Sequence, residues 1–462
     1  MIVRGLALAL AVTAMVVAMV GGVQGGPSCF DHQTETYTSV YTVQDFSDVP
    51  VAVTPFFSPG QSERVLAELF LSATSSIDIA VASWESFEGC GAWDGNGCTP
   101  EEVRNDAVSP FFVALVNAIH RGVDVRMLVG YCNTTVNPPG KIDQFSFLAL
   151  TGADVRAYAT TDFLHSKYIA VDNTRVAIMS ANIDLAAMRY NREAGVIVED
   201  IGNHPGKLSP IVNYTQSVFH ADWDRAIPYP VDADWPPATM ALIKDPTPIP
   251  EPPVVYFNAS TCSFNVPDPP PTYKAEMDIG VYTLPDAGVE NTVIKAIANA
   301  KTSIDVYIYV IASDNIVSAL VAAKKANPEL SIRILVSSYV IPGPFPDYTQ
   351  AYVNLTAAGI PVHATHDCLG VHHIKVWIID GESVSVSTNN WAESEFPVYS
   401  VFPPGVHGAD RGLVFTFKNP DVIAWYGMVM AHDWTQSIPW TPSLIPSPPP
   451  PPPPPTTVRP ST

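Results

Sequence analysis

The chain is short of basic residues: Lys and Arg number 24 against 45 Asp and Glu, a formal charge of −21 over 462 residues. A surface of that sign argues against nonspecific binding of long polyanions at neutral pH. Protonating all 11 histidines would bring the balance only to −10, so an acidic compartment softens repulsion of an anionic substrate without removing it. No Cys-x-x-Cys or His-Glu-x-x-His spacing offers a metal site, and neither metal nor cofactor is expected. Beyond the N-terminus no apolar run is long enough to read as a membrane span. Extensive disorder is excluded by a hydrophobic content of 47% and a mean hydropathy of +0.15, and the length is enough for two or three domains with a sizeable core.

What is present begins with a secretory pattern. Arg4 precedes an apolar run from Leu6 to Val20, and small residues follow from Gly21. Residues 1–25 therefore read as a signal peptide cleaved near Gly25, with a retained signal anchor as the alternative. The sequons at Asn133, Asn213, Asn258 and Asn354 agree with a luminal or secreted destination and are expected glycosylation sites. The cysteines are Cys29, Cys90, Cys98, Cys132, Cys262 and Cys368; Cys90 and Cys98 flank a glycine-rich loop and are the best candidates for a local disulfide.

The chain is also written twice. "LFLSATSSIDIAVASW" (Leu69–Trp84) answers "KAIANAKTSIDVYIYVI" (Lys295–Ile311), and "LALTGADVRAYA" (Leu148–Ala159) answers "VNLTAAGIPVHAT" (Val353–Thr365). "FHADWDRAIPY" (Phe219–Tyr229) answers "MAHDWTQSIPW" (Met430–Trp440). Strand and helix patterns alternate in each half, which predicts an α/β fold of two tandem pseudo-symmetric lobes, each a mostly buried mixed sheet flanked by helices. The expected lobes are residues 27–235 and 273–440, joined by a proline-rich linker at 236–272 and followed by a polyproline, disordered tail at 441–462.

The chemistry-bearing stretches recur within this repeat. "LHSKYIAVDNTRVAIMSANID" (Leu164–Asp184) and "VHHIKVWIIDGESVSVSTNNW" (Val371–Trp391) share His-x-Lys-x4-Asp: His165, Lys167, Asp172 and His373, Lys375, Asp380. A turn follows each aspartate, and each returning strand ends in a polar cluster, Ser180 with Asn182 and Thr388 with Asn390. Strand alternation puts His373, Lys375, Trp377 and Ile379 on one side and His372, Ile374, Val376 and Ile378 on the other. His372 thus falls outside the motif and reads as a satisfied or solvent-facing histidine. His220 and His432 read as packing or capping a helix, Trp223 and Trp434 as core aromatics, and Asp78 and Asp305 as sheet braces. Cys368, near the second motif, reads as a disulfide partner.

The doubled His-x-Lys-x4-Asp-x6-Gly-Ser-x-Asn pattern resembles the signature of the phospholipase D superfamily, with Met179 and Ser387 in place of the glycine and Thr388 in place of the serine. The resemblance runs from about Pro55 to Pro439 and is greatest to the endolysosomal and poxvirus-envelope branch. It implies an active site between the lobes, with Lys167, Lys375, Ser180, Asn182, Thr388 and Asn390 around one phosphate. Lysine supplies a compact positive charge, and hydroxyl and amide groups donate to the remaining oxygens. One imidazole attacks phosphorus and the other protonates the leaving oxygen. By analogy His165 is the nucleophile and His373 the acid/base. Glu193 and Glu395, 28 and 22 residues after their motif histidines, are implied as the carboxylates that orient the imidazoles. Asp172 and Asp380 are expected to brace backbone more than to touch substrate. The branch implies a 5′-to-3′ exonuclease on single-stranded DNA or RNA in an acidic lumen. The alternatives are a phospholipase or transphosphatidylase working on phospholipid at a membrane surface, and a noncatalytic secreted binding protein. Arg189, Tyr190, Arg192 and Trp391 are candidates to line a nucleic-acid cleft. Oligomeric state stays open.

Overall fold

The computed structural model describes residues 35–441 apart from 86–97, 106–108, 131–138, 162, 203–208, 232–234, 251–265, 339–347, 366–369 and 404–408. The apolar N-terminus, the polyproline run, Asn133, Asn258 and all cysteines but Cys98 lie outside the described residues. Cys98 is disulfide-bonded; the expected pairing with Cys90 involves a residue outside that set.

Each half contributes seven main strands. The first supplies β1 (Gln44–Ser58), β2 (Ser76–Val81), β3 (Asp124–Val129), β4 (Asp154–Ala157), β5 (Lys167–Val171), β6 (Arg175–Met179) and β7 (Glu193–Asp200). The second supplies β8 (Tyr273–Leu284), β9 (Ser303–Ile308), β10 (Ser331–Val336), β11 (Val362–Ala364), β12 (Lys375–Ile379), β13 (Ser383–Ser387) and β14 (Asp410–Phe417). The spatial order is β4-β3-β2-β5-β6-β7-β1 in one lobe and β11-β10-β9-β12-β13-β14-β8 in the other. Strands β2, β3 and β4 run parallel, as do β9, β10 and β11, and the rest pair antiparallel, so the sheets are mixed. Strand β1 pairs with β8, which joins the two sheets edge to edge. The predicted fold class and its internal symmetry are observed.

The motif hairpins form because their turn residues accept left-handed backbone. Asp172 and Asn173 have φ of 52° and 56°, and Asp380 and Gly381 have 54° and 65°. Positive φ at both central positions suits the β-turns closed by the Thr174 N–H to the Val171 carbonyl at 3.1 Å and the Glu382 N–H to the Ile379 carbonyl at 2.9 Å, and Asp, Asn and Gly reach it at least cost.

Alternation along these strands divides the core. Ile169 and Val171 join an outer core with helices α1 (Ser62–Leu71), α2 (Pro110–His120) and α3 (Gln144–Thr151). Tyr168 and Ala170 face a central core shared by both lobes, filled by α4 (Pro210–Trp223) and by residues of the second lobe. The intended linker begins with α5 (Pro237–Ile243), and Ile243 and Ile249 are buried in the first lobe's outer core. Asn117 fixes this stretch by bonding both the N–H and the carbonyl of Ile249, at 3.0 and 3.1 Å. Residues 236–249 are thus part of the first lobe rather than linker, because two isoleucines and a helix outweigh the prolines around them. The second lobe has its own outer core with α6 (Val293–Asn299), α7 (Asp314–Ala326) and α8 (Tyr348–Ala357), and α9 (Pro420–Gln436) enters the shared core. Trp377 lies in the outer core and Val376 and Ile378 in the central one, matching the faces assigned from alternation.

Candidate active site

Lys167 opens β5 and pairs with Val81, the last residue of β2; Lys375 opens β12 and pairs with Ile308, the last residue of β9. Both motifs therefore sit beyond the carboxyl ends of parallel strands, where α/β sheets leave a crevice for ligands. Main-chain bonds between the halves bring the two crevices together. The His165 N–H donates to the Arg411 carbonyl at 2.9 Å, and the His373 N–H donates to the Arg192 carbonyl at 2.9 Å.

The carboxylate partners are crossed. His165 Nδ1 lies 2.9 Å from Glu395 Oε2, whereas His373 Nδ1 lies 3.1 Å from Glu193 Oε1. Each imidazole takes its glutamate from the other half. Glu193 also accepts from the Ser180 hydroxyl at 2.6 Å, and Glu395 accepts from Asn390 Nδ2 at 2.7 Å and from the Asn390 backbone N–H. A carboxylate at Nδ1 fixes the proton there and leaves Nε2 for chemistry. Both glutamates are buried, which alone would raise their pKa values, but the facing histidines and Lys375 hold them below the ordinary carboxylate range.

The cations belong to the same electrostatic cluster. Each lysine Nζ donates to the carbonyl of its own motif histidine at 2.7 Å. Burial drives Lys167 well below the usual ammonium value, with Lys375 adding to the effect, and brings Lys375 down to about 8. Burial likewise pushes His165 down to about 4 against the pull of Glu395, and lowers His373. Lys375 acts on His165 and Lys167 acts on His373, so the fields of both halves overlap at one place. Two imidazoles, two carboxylates and two ammonium groups are gathered there, and that set can bind and cleave a phosphate ester.

A family model described as "Cardiolipin synthase, PLD-like domain" matches residues 66–223 and 293–434, one copy in each half and together more than half of the chain. The chain belongs to the phospholipase D superfamily. Among curated relatives it is 30% identical over 173 residues to "Phospholipase D Z" of Dictyostelium discoideum, covering 36% of this chain and 37% of that protein. It is 26% identical over 215 residues to "5'-3' exonuclease PLD3" of Xenopus laevis, covering 45% of this chain and 38% of that protein. The chain spans less than two fifths of the length of either relative. Among solved structures, a phosphatidylserine synthase from Haemophilus influenzae superposes with a TM-score of 0.53 at 9% identity, over 88% of this chain and 90% of that one. That likeness extends to the two-lobed fold.

Several residues of the phospholipase D signature stand apart from the reacting groups. Asp172 and Asp380 lie at the far ends of β5 and β12, five residues past their lysines, roughly 17 Å along a strand. Asp172 accepts from the N–H groups of Thr74, Ser75 and Ser76 at 2.7 to 3.1 Å. Asp380 does the same for Lys301, Thr302 and Ser303 at 2.7 to 3.0 Å. They brace the loop entering β2 or β9 through these main-chain bonds. Partial burial alone would raise Asp172, but these donors bring it to about 2. Asp172→Asn should cost about 1–2 kcal/mol of stability near neutral pH, as loss of charge-assisted backbone bonds does. Urea unfolding checks this, and the turnover number should be unchanged.

Ser180 and Thr388 are also placed differently from the phosphate-binding role expected of them. Both are buried. Ser180 spends its hydroxyl on Glu193 and accepts from the Ala194 N–H at 2.9 Å. Thr388 donates to Asn389 Oδ1 at 2.6 Å and accepts from the Leu413 N–H at 3.0 Å. Asn390 serves Glu395 through Nδ2, while Asn182 is half-buried beside the first motif's strand end. Of the proposed cleft residues, Arg189 is buried against Glu63 at 2.6 Å and Arg192 against Asp433 at 2.9 Å. Trp391 is buried 5.4 Å from Trp377, so only Tyr190 keeps partial exposure. Asp78 and Asp305 bind Arg126 and Arg333 on the neighbouring strands, each at 2.7 Å. Trp223 is buried under Arg156, and Trp434 stacks on His363. His220 meets Arg126 at 3.1 Å, and His432 meets Asp433 at 3.1 Å. Sequence reasoning missed Phe163 and Tyr309, whose rings lie 5.8 and 4.9 Å from those of His165 and His373. The first stands two residues before the motif. The second follows β9, and no signal near the motif points to it.

Proposed function

We propose that the protein is a phosphodiesterase that works through a phosphohistidine at His165, acting as a 5′-to-3′ exonuclease on single-stranded DNA or RNA in an acidic lumen of the secretory or endolysosomal route. The observation that carries the reaction type is the crossed pair of His–Glu contacts with both lysines in one field. His165 Nε2 attacks phosphorus, the bond to the leaving 5′ oxygen breaks, and His373 supplies the proton to that oxygen. Water then attacks the phosphohistidine, giving its proton to His373, and a 3′-phosphonucleotide leaves while His165 is regenerated. Lys167 and Lys375 face the charge that develops on phosphorus-bound oxygen.

The acidic setting is supported by His165 itself. A nucleophilic imidazole must be neutral; with its pKa at about 4, about nine in ten molecules are neutral at pH 5, against a few per cent for an ordinary histidine. The secretory N-terminus, the exposed sequons Asn213 and Asn354, and a disulfide at Cys98 support a luminal site. Phe163, which keeps partial exposure, gives His165 an aromatic neighbour of the kind bases stack upon. The likeness to the Xenopus exonuclease supports the same substrate. The likeness to the Dictyostelium phospholipase D and the scarcity of basic residues favour phospholipid as the second reading.

The deciding assay compares single-stranded DNA, RNA and phosphatidylglycerol side by side at acid pH, with His165→Ala as control. Release of 3′-phosphonucleotides by wild type and not by the variant is expected. Turnover of lipid alone overturns the nucleic-acid substrate, and no turnover of any of the three overturns the enzyme reading.

A further inference from the structure

His372 lies outside the motif, yet it is buried and its ring is pinned. Its Nδ1 sits 2.7 Å from the Tyr307 hydroxyl, which donates to Asp433 Oδ2 at 2.6 Å. Because the tyrosine gives its proton to the carboxylate, its oxygen is left to accept, so His372 carries its proton on Nδ1. Asp433 is also bound by Arg192, from Nε to Oδ2 at 2.9 Å and from Nη2 to Oδ1 at 3.1 Å, and it accepts a contact from His432 at 3.1 Å. The chain formed is His372–Tyr307–Asp433–Arg192, with every member buried.

Both ends of this chain abut a reacting group. His372 immediately precedes His373, and Arg192 immediately precedes Glu193. The backbones of the two ends are laced together as well: the Arg192 N–H donates to the Val371 carbonyl, and the His373 N–H donates to the Arg192 carbonyl, each at 2.9 Å. The His373–Glu193 contact, made between lobes, is thus framed on the opposite face by a polar clasp that is also made between lobes. Behind His165 the corresponding arginine, Arg411, binds Asp222 at 2.9 Å, but the ring pair of the clasp has no counterpart there. By strand register Leu164 takes the place of His372 and Ala80 that of Tyr307, and neither side chain has a polar atom.

We propose that His372 is a positioning residue for His373, fixing through Tyr307, Asp433 and Arg192 the geometry in which the acid/base imidazole meets Glu193. This rests on the role given to His373 above. A hydrogen-bonded side chain on one face of a strand end sets the backbone that aims the next residue's ring to the other face. The His–Tyr pair is present only behind His373 among the described residues, whereas the backbone of His165 is held by the Arg411 carbonyl and its ring by Glu395.

The test uses His372→Leu, the residue the first half carries at this place, and His372→Asn, whose amide retains a donor toward Tyr307. In the intact chain, His372→Leu is expected to lower kcat on bis(p-nitrophenyl) phosphate by about 10–100-fold with KM little changed, and to shift the limb of the kcat–pH profile that reports His373. His372→Asn should recover most of the loss. Titration of the His373 ring by nitrogen-15 NMR gives a readout independent of turnover, and its midpoint should move in His372→Leu and return toward wild type in His372→Asn. An unchanged His373 titration in His372→Leu overturns the proposal. So does an equal loss in both variants with no movement of the midpoint. A wild-type chain that cleaves no ester would sink the phosphodiesterase reading alone, and the titration would still decide the clasp.

Discussion

In His373→Asn protein given a substrate with a good leaving group, such as a p-nitrophenyl phosphodiester, phosphate should accumulate on His165. The first displacement then needs little help from an acid, whereas the second still needs a base to take a proton from water. A burst of one nitrophenolate per chain is expected, followed by turnover slower than wild type by about 10²–10⁴-fold, the usual contribution of a positioned acid/base. Digests of protein quenched with denaturant at alkaline pH, where a phosphorus–nitrogen bond survives, should show the phosphoryl group on the peptide containing His165. His165→Asn should show neither burst nor adduct. A burst in His165→Asn with label on the peptide of His373 would reverse the roles.

The structure supplies a reason to expect this order rather than its reverse. Burial brings His165 to about 4, so it stays a free base through the acid range. In the proposed mechanism His373 cycles between imidazolium and imidazole, and it has the clasp through Tyr307 and Asp433. The formation step should therefore change little from neutral pH to about pH 5 and be halved near pH 4 as His165 protonates. The rate constant of the burst, measured against pH, reads this directly.

How much of this was legible in the sequence differs from residue to residue. The doubled motif fixes its own register, so the lysines, the histidines and the strand faces of Trp377 and Ile378 follow from alternation. Crossed glutamates do not follow, because strand pairing between lobes leaves no local pattern. The two carboxylates are not even equivalent in the repeat. Register places Gly412 where the first half has Glu193, and a Cβ at Gly412 would fall 1.6 Å from Asn389 Oδ1. Asn389 fills that space, and the second carboxylate comes instead from Glu395 in the turn beyond the strand. Ser180 and Thr388 mislead for a related reason. A hydroxyl beside a phosphate motif looks like a phosphate donor, and only the fold reveals that a buried carboxylate or amide claims it first. Arg189, Arg192 and Trp391 looked like cleft residues because they are cationic or aromatic near the motifs. They are buried by partners 126 to 241 residues away or by another tryptophan.

Replacing Arg411 should produce the largest loss of stability of any single change at the lobe junction. Its guanidinium is 1% exposed, binds Asp222 from the first lobe at 2.9 Å and Asp286 from the second, and also donates to the Tyr37 hydroxyl at 3.1 Å. Register makes Arg411 the repeat counterpart of Arg192, so each lobe sends one arginine to an aspartate on the other lobe's central helix: Arg411 to α4, Arg192 to α9. Burial alone raises Asp222, and Arg411 opposes that rise. Arg411→Ala would leave the buried carboxylates of Asp222 and Asp286 without the guanidinium that bridges them. Removing one partner of a buried pair costs about 3–5 kcal/mol, mostly because the other charge is left without compensation. Urea unfolding of Arg411→Ala should show that loss. Adding Asp222→Asn to it should recover part, since the double change removes one stranded charge. A double variant as unstable as the sum of the singles would mean that the two residues are not coupled. The Arg411 carbonyl also accepts from the His165 N–H at 2.9 Å, so activity in the surviving folded fraction should fall as well. Loosening this arginine moves the backbone that holds His165, the proposed nucleophile, which ties the stability of the lobe junction to the site between the lobes.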